Sequence, residues 1–360
     1  MSLSLRGLLI AFPVVALIIG GMALLTYRSA ISDFRTDATS ELVAANDATA
    51  GRLAEQLDLV ANIESEASAI MRQRLLAGRA TSFENVFVPA PDGAFHSRDI
   101  LWDGAELAGS VRMRGFGAFV ASRPQGERRD TVMAAFDTIK TMAGGLPDSV
   151  ESLYFFSPAN DLLIFAPTRE DELEFYRQAP ADFDFQDAEF SQITSPEENP
   201  AGELRCTSLQ QPIYDDTGAN WTTGCMLPFR IGGRHLGAWG ISIPLRNLTQ
   251  SLQEPPAGAT TIIASLEGKL IHHSSLTENS SGALAANVDL AESDDPMLRG
   301  LVEYLDRGDD RQVEYSDALG AYISSDRLEA PDWVVFTILP EEALSARAWS
   351  IAQPSQPSIT

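Results

Sequence analysis

The chain has 360 residues, 44% of them hydrophobic and 21% charged. That composition excludes wholesale disorder and leaves room for two domains with sizeable cores. Its 26 basic residues face 50 acidic ones, a formal net charge of -24; so acidic a surface repels nucleic acid and anionic lipid, and no nucleic-acid partner is expected.

The first element in chain order is "LLIAFPVVALIIGGMALLT", Leu8 to Thr26, which carries no charge and is long enough to cross a bilayer. Arg6 precedes it and Arg28 follows it, so charge bias sets the orientation only weakly. A cleaved signal peptide is the rival reading, because the small residues Ser29 and Ala30 come next. The apolar run is longer than a usual signal core and the following stretch continues as helix, which favours an uncleaved anchor. Residues 1–28 are therefore read as a cytoplasmic end and a transmembrane anchor in the inner membrane, with the bulk of the chain periplasmic or extracellular.

Residues 29–78 read as a stalk helix. Ile31, Phe34, Ala38, Leu42, Ala45, Leu53, Leu57 and Val60 recur at steps of three and four, continuing to Ile70 and Leu75, with Thr49 as a polar member of the stripe. So long an apolar stripe needs covering by the following domain, by a second copy, or by both. The texture then changes to short strands. "FENVFVPAPDGAF" is a strand with a Pro-Asp-Gly turn, and residues 130–143 read as an amphipathic helix with Asp130 as N-cap. "VESLYFFSP" and "DLLIFAP" flank an Asn160-Asp161 turn as a hairpin. Residues 170–203 read as an acidic loop covering one end of the sheet. Strands over 204–229 and 235–243, turning at Gly232-Gly233, complete it.

"PPAGA", 255–259, reads as a linker, after which strand, glycine turn and strand begin again in "TTIIASLEGKLIHHSS". A short helix over 294–307, strands in "RQVEYSDALGAYISSDRL" and "WVVFTILP", and a helix from Pro340-Glu341-Glu342 follow. The expected organisation is α+β: anchor (1–28), stalk helix (29–78), two tandem units with PAS-like antiparallel sheets (79–254 and 255–346) and a polar tail (347–360). The two cysteines, Cys206 and Cys225, flank a hairpin-like stretch that turns at Asp215-Asp216-Thr217-Gly218. An oxidising compartment would permit a disulfide between them, and two unpaired buried thiols remain the alternative.

"QPIYDDTGANWTTGCMLPFRIGGRHLGAWGISIPLRNL" resembles the core of a double Cache sensor, the exported ligand-binding module of bacterial chemoreceptors, sensor kinases and cyclases. Pro212 to Asp215, Gly218, Pro228, and Gly237 to Leu245 follow the family's order. "SLEGKLIHHS" is similar to its membrane-proximal hairpin, and "WVVFTILPEEAL" to its final strand and exit helix. The resemblance implies a small-molecule ligand in the distal unit, a homodimer through the stalk helix, and either an output domain or a separate signalling protein as the recipient. It places candidate ligand-binding residues at Tyr154, Phe156, Phe165, Tyr176, Arg177, Tyr214, Asp215, Trp221 and Ser242. Arg177 is the candidate anion-binding group. Ser242 stands where amino-acid-sensing members carry an Asp for the ligand ammonium, which argues against an amino-acid ligand.

Two other function classes compete. An exported hydrolase would need a nucleophile elbow, and "GISIP" around Ser242 lacks its second glycine. His96, His235, His272 and His273 show no i, i+4 pair and no spaced ligand set for zinc. No glycine-rich phosphate loop is visible, so no enzyme activity and no cofactor are expected. The remaining alternative is an anchored solute-binding or assembly protein without signalling output.

Overall fold

A computed structural model describes residues 3–352 apart from 79–80, 108–110, 148–149, 214–220, 275–287, 308–312 and 329–330. Its first element, α1 (Leu3–Ala77), is one helix of 75 residues. Of the apolar stretch 8–26 only the side chain of Met22 is among those described, so the other side chains of the expected anchor lie outside the description. Among the described residues no helix is long and apolar enough to cross a membrane.

The unit that packs on the C-terminal part of α1, distal in the sense of lying farther from the start of that helix, begins with α2 (Phe83–Val86), β1 (Phe87–Pro89) and β2 (Phe95–Ser97). Next come α3 (Asp99–Asp103), a small ribbon of β3 (Gly104–Leu107) and β4 (Val111–Arg114), and then β5 (Phe116–Val120). α4 (Gly126–Met142) crosses to the hairpin β6 (Leu153–Phe156) and β7 (Asp161–Phe165). Two short helices, α5 (Glu170–Gln178) and α6 (Glu189–Gln192), precede β8 (Arg205–Cys206) and the long hairpin of β9 (Thr222–Ile231) and β10 (Arg234–Pro244). These strands form one eight-stranded antiparallel sheet in the order β1-β2-β5-β7-β6-β10-β9-β8. The two-residue connection of the long hairpin holds both Gly232 and Gly233 at positive φ, the geometry that matches the twist of the flanking strands.

Two details differ from the sequence reading. Helix α4 starts at Gly126 with Gln125 as its N-cap residue, so Asp130 lies inside the helix. The reason is tertiary: the Arg128 guanidinium, through Nε, donates to buried Asp161 Oδ2 at 2.9 Å, docking the helix start on the β6–β7 turn. The acidic stretch 170–203 carries α5 and α6, so Tyr176 and Arg177 sit on a helix.

α7 (Leu245–Ser251) leads to the proximal unit, whose strands are β11 (Thr260–Ser265), β12 (Leu270–His273), β13 (Glu314–Ser316), β14 (Ala321–Leu328) and β15 (Trp333–Pro340). They form a five-stranded antiparallel sheet in the order β12-β11-β15-β14-β13. α8 (Pro296–Leu301), with Asp295 Oδ1 capping the Met297 N–H at 2.8 Å, continues as a 3-10 turn over Val302–Tyr304. α9 (Glu341–Ala352) closes the unit.

Helix α1 packs on both sheets. Ala38 and Leu42 are buried with Tyr322, Leu339 and Leu344 of the proximal unit. Asn46 Oδ1 accepts a hydrogen bond from Thr337 Oγ1 at 2.8 Å. From Leu53 through Leu57, Val60 and Ala67 to Met71 the same stripe enters the distal core with α4, Phe155, Trp239 and Ile241. Thr49, the polar member of the stripe, is buried too.

Within this apolar seam Glu64 is completely buried, and neither carboxylate oxygen has a hydrogen-bond partner. Desolvation holds its pKa well above the ordinary 4.5, only partly countered by the backbone at Ile241. The folded protein therefore keeps a proton that the unfolded chain releases, and stability falls as pH rises from about 4.5 towards the folded-state pKa. Buried His272 acts with the opposite sign. Burial lowers its pKa from 6.5 to about 4, so its contribution rises with pH between those values. Thermal melts from about pH 4 to about pH 8 should show Glu64→Gln gaining stability over wild type progressively above about pH 4.5. Parallel curves for the two proteins would rule out an unpaired buried carboxylate.

Candidate functional site

The distal sheet has two differently used faces. One carries α1 and α4; the other carries Tyr154, Phe156, Leu162, Ile164, Met226 and Ala238 under α5 and α6. On this second face lies an open cleft with a cavity volume of about 60 Å³. Its floor is Tyr154 of β6, Leu162 and Ile164 of β7, Gly224 of β9 and Ser242 of β10. Its walls are Tyr176, Phe190, Thr222 and the segment Thr207, Gln210, Gln211, Pro212 and Ile213. Beneath Phe190 an aromatic cluster supports the wall, with Phe156 edge-on to Phe190 at 5.0 Å and to Phe185 at 6.2 Å between ring centroids.

Register explains why these residues meet. Tyr154 pairs with Ile164 and Phe156 with Leu162 across β6–β7, and Ser242 pairs with Gly224 across β9–β10. The Tyr154 ring lies across Gly240, where a Cβ would come within 2.3 Å of the ring. Its hydroxyl sits 3.3 Å from Met226 Sδ.

The wall after β8 is held from several sides. Cys206 and Cys225 are joined by a disulfide, with Cα atoms 3.9 Å apart and a sequence separation of 19. The Thr207 N–H donates to Gly224 O at 2.8 Å, and the Gly224 N–H donates to Thr207 Oγ1 at 2.9 Å. Thr223 Oγ1 donates to Thr207 O at 2.6 Å. Glu189 of α6 accepts from the Ser208 N–H at 2.9 Å and from its hydroxyl at 2.6 Å. One residue on, the Leu209 N–H donates to Leu270 O at 3.2 Å, so this wall of the distal cleft is bonded directly to proximal strand β12.

The candidate residues divide. Tyr154, Tyr176 and Ser242 line the cleft, and Phe156 supports it. Phe165 pairs with Leu153 and packs in the core shared with α1, on the opposite face. Trp221 packs against the proximal core, its carbonyl accepting from the Leu245 N–H at 2.8 Å. Arg177 is bonded to Asp99, with its guanidinium 5.0 Å from the Trp102 ring centroid, and does not line the cleft. Tyr214 and Asp215 lie outside the described residues. Leu162, Ile164, Phe190, Thr207, Gln210, Gln211, Thr222 and Gly224 escaped sequence reasoning. Strand parity across the two hairpins would have supplied Ile164, Leu162 and Gly224; the segment after β8 carries no such periodicity. Among the described residues no group of three His, Cys, Asp or Glu is placed to hold a metal ion.

Ser242 also borders a second cleft, with a cavity volume of about 600 Å³, between β10 and the stretch of α1 bearing Arg52, Gln56, Leu59 and Val60. One short stretch of strand thus touches the distal cleft and the α1 seam.

No protein-family model and no curated protein matches the chain. Several solved structures are similar to it. The periplasmic sensory domain of the Campylobacter jejuni chemoreceptor Tlp1 aligns at 9% identity and a TM-score of 0.49, covering 87% of this chain and 98% of that one. The sensory domain of C. jejuni chemoreceptor Tlp3 with isoleucine bound aligns at 9% identity and 0.45, covering 89% and 98%. The extracellular domain of the histidine kinase soHK1S-Z6 aligns at 13% and 0.43, covering 89% and 99%. These structural neighbours are sensory domains of chemoreceptors and of a histidine kinase.

Two outcomes test the construction of the cleft. Replacing both Cys206 and Cys225 by Ser should cost about 3 kcal/mol, the value for a loop of this length, in urea unfolding. Equal stability of oxidised wild type and the double variant would show that the bond adds nothing. Gly240→Ala should lower stability by about 1–3 kcal/mol by displacing the Tyr154 ring, read as a reduced melting temperature; an unchanged melt would show that the ring moves freely.

Proposed function

We propose that this chain is the extracytoplasmic sensory module of a signal-transduction receptor of the double Cache kind, binding a small molecule in the distal cleft. The observation that carries the reading is the cleft itself. It lies on the face of the distal sheet turned away from α1, with an apolar floor and a few convergent hydroxyl and carboxamide groups, the usual constitution of a small-molecule site. The motif order in 212–245 and the repetition of an antiparallel sheet along one helix support the same reading.

Two physical links lead away from the cleft. The 207–213 wall is bonded to β12 through Leu209 and Leu270, and β10 carries Ser242 on the cleft and Ile241 against α1. A ligand that binds one arrangement of these elements better than another shifts their equilibrium by that differential affinity. In this reading the units 79–254 and 255–346 act as distal and proximal sensor subdomains, residues 8–26 anchor the chain in the inner membrane, and α1 relays the shift in a homodimer to a separate partner or an output domain.

A thermal-shift screen of the full chain in detergent against amino acids, organic acids, amines, purines and sugars tests the proposal. A compound that binds only the folded state raises the melting temperature in a saturable way. The expected outcome is at least one such compound, with the shift lost in Ser242→Trp, which fills the cleft. A saturable shift that Ser242→Trp leaves intact would remove the site from this cleft.

A further inference from the structure

Resting on the reading of the distal cleft as the ligand site, we infer that its ligand is an uncharged molecule with an apolar body and an amide- or lactam-like edge. The polar groups lining the cleft are the hydroxyls of Tyr154, Tyr176, Thr207, Thr222 and Ser242 and the carboxamides of Gln210 and Gln211. Among the described residues no ionised side chain lines it. Two charged side chains close by in the sequence and fold are engaged elsewhere: Glu189 holds Ser208, and Arg177 is bonded to Asp99. A net charge drawn into this cleft would lose hydration without an opposite charge to replace it, a cost that neutral hydroxyls and carboxamides offset poorly.

The same inventory says what is recognised. The Ser242 hydroxyl and the Gln210 carboxamide make no side-chain hydrogen bond among the described residues, although both border the cleft. Ser242 stands on the sheet floor and Gln210 on the wall, its backbone pinned to Thr222 by hydrogen bonds of 3.0 and 2.9 Å. A carboxamide offers a donor and an acceptor side by side, and its natural complement is another amide, which offers the same pair in reverse. Leu162, Ile164 and Phe190 provide the apolar surface for the rest of the molecule. Among the described lining residues a primary amine would find no carboxylate for its ammonium, and a carboxylate no guanidinium.

Probes that share a five-carbon frame and differ in charge test this with the full-length protein in detergent. They are δ-valerolactam and valeramide (neutral), 5-aminovalerate (zwitterion), valerate (anion) and pentylamine (cation). A neutral probe should raise the melting temperature in a saturable way and the three charged ones should not. Gln210→Ala and Ser242→Ala should each weaken that binding about fivefold, the loss of one neutral hydrogen bond. Absence of a shift with either neutral probe, or tighter binding of a charged probe, would overturn the inference. If the tighter charged probe is lost in Ser242→Trp, the cleft remains the ligand site and only its assigned chemistry fails. Binding of any probe that Ser242→Trp leaves unchanged would instead overturn the placement of the site. Gln210→Trp, off the strand ladder, serves as the second cleft-filling variant should Ser242→Trp not fold.

Discussion

The apolar seam between α1 and the two sheets is the constraint on which the rest of the structure depends. A helix this long is not held by intrinsic propensity; it is held by the surface it buries. Leu42 is buried against the proximal unit and Leu53, Leu57 and Met71 against the distal one. Both sheets are therefore referred to a single rigid element, and movement of either unit along the seam must disturb the packing of α1. Polar groups inside the seam narrow the choices further. Asn46 Oδ1 accepts from Thr337, so a slip of register would break a buried hydrogen bond, and burial raises the pKa of Glu64, which favours its neutral form.

One face of the distal sheet carries α1 and α4, and the cleft lined by Tyr154, Tyr176 and Ser242 lies on the other. There the short helices α5 and α6 cover the sheet incompletely, and the segment after β8 closes one side. That segment resembles an edge strand reduced to two residues, Arg205–Cys206, a length that limits unwanted pairing at the sheet edge. The disulfide, Thr207 and Glu189 compensate for the missing ladder. The result is a wall fixed to β9, to α6 and, through Leu209, to the proximal sheet.

Much of the architecture was legible in the sequence. The three- and four-residue steps from Ala38 to Val60, the Asn160 turn, the Gly232-Gly233 hairpin and the restart after "PPAGA" all mark real elements. The candidate site was legible only in part, and the misses have definite causes. Phe165 differs from Ile164 by one position, and one position in a strand exchanges the two faces of a sheet. Arg177, the candidate anion-binding group, falls in the stretch expected as an acidic loop; it sits on α5, bonded to Asp99 and beside the Trp102 ring. Asp130 is a good N-cap residue by type, but Arg128 found a buried carboxylate and drew the helix start back to Gly126.

By itself the sequence determined the alternation of polar and apolar residues, and with it the existence of one long helix and two antiparallel sheets. It also determined which glycines permit close approach, because only at Gly240 can the Tyr154 ring lie flat across the strand. Which face of the distal sheet stays open was decided by tertiary structure alone. A strand buried on both faces, such as β6 or β7, reads as a continuous apolar run without period-2 alternation, so its sequence does not say which face α1 covers. The membership of the cleft was decided in the same way. Thr207, Gln210 and Gln211 carry no periodic signal, and they reach Ser242 only because a disulfide and a set of backbone hydrogen bonds fold their segment over the sheet.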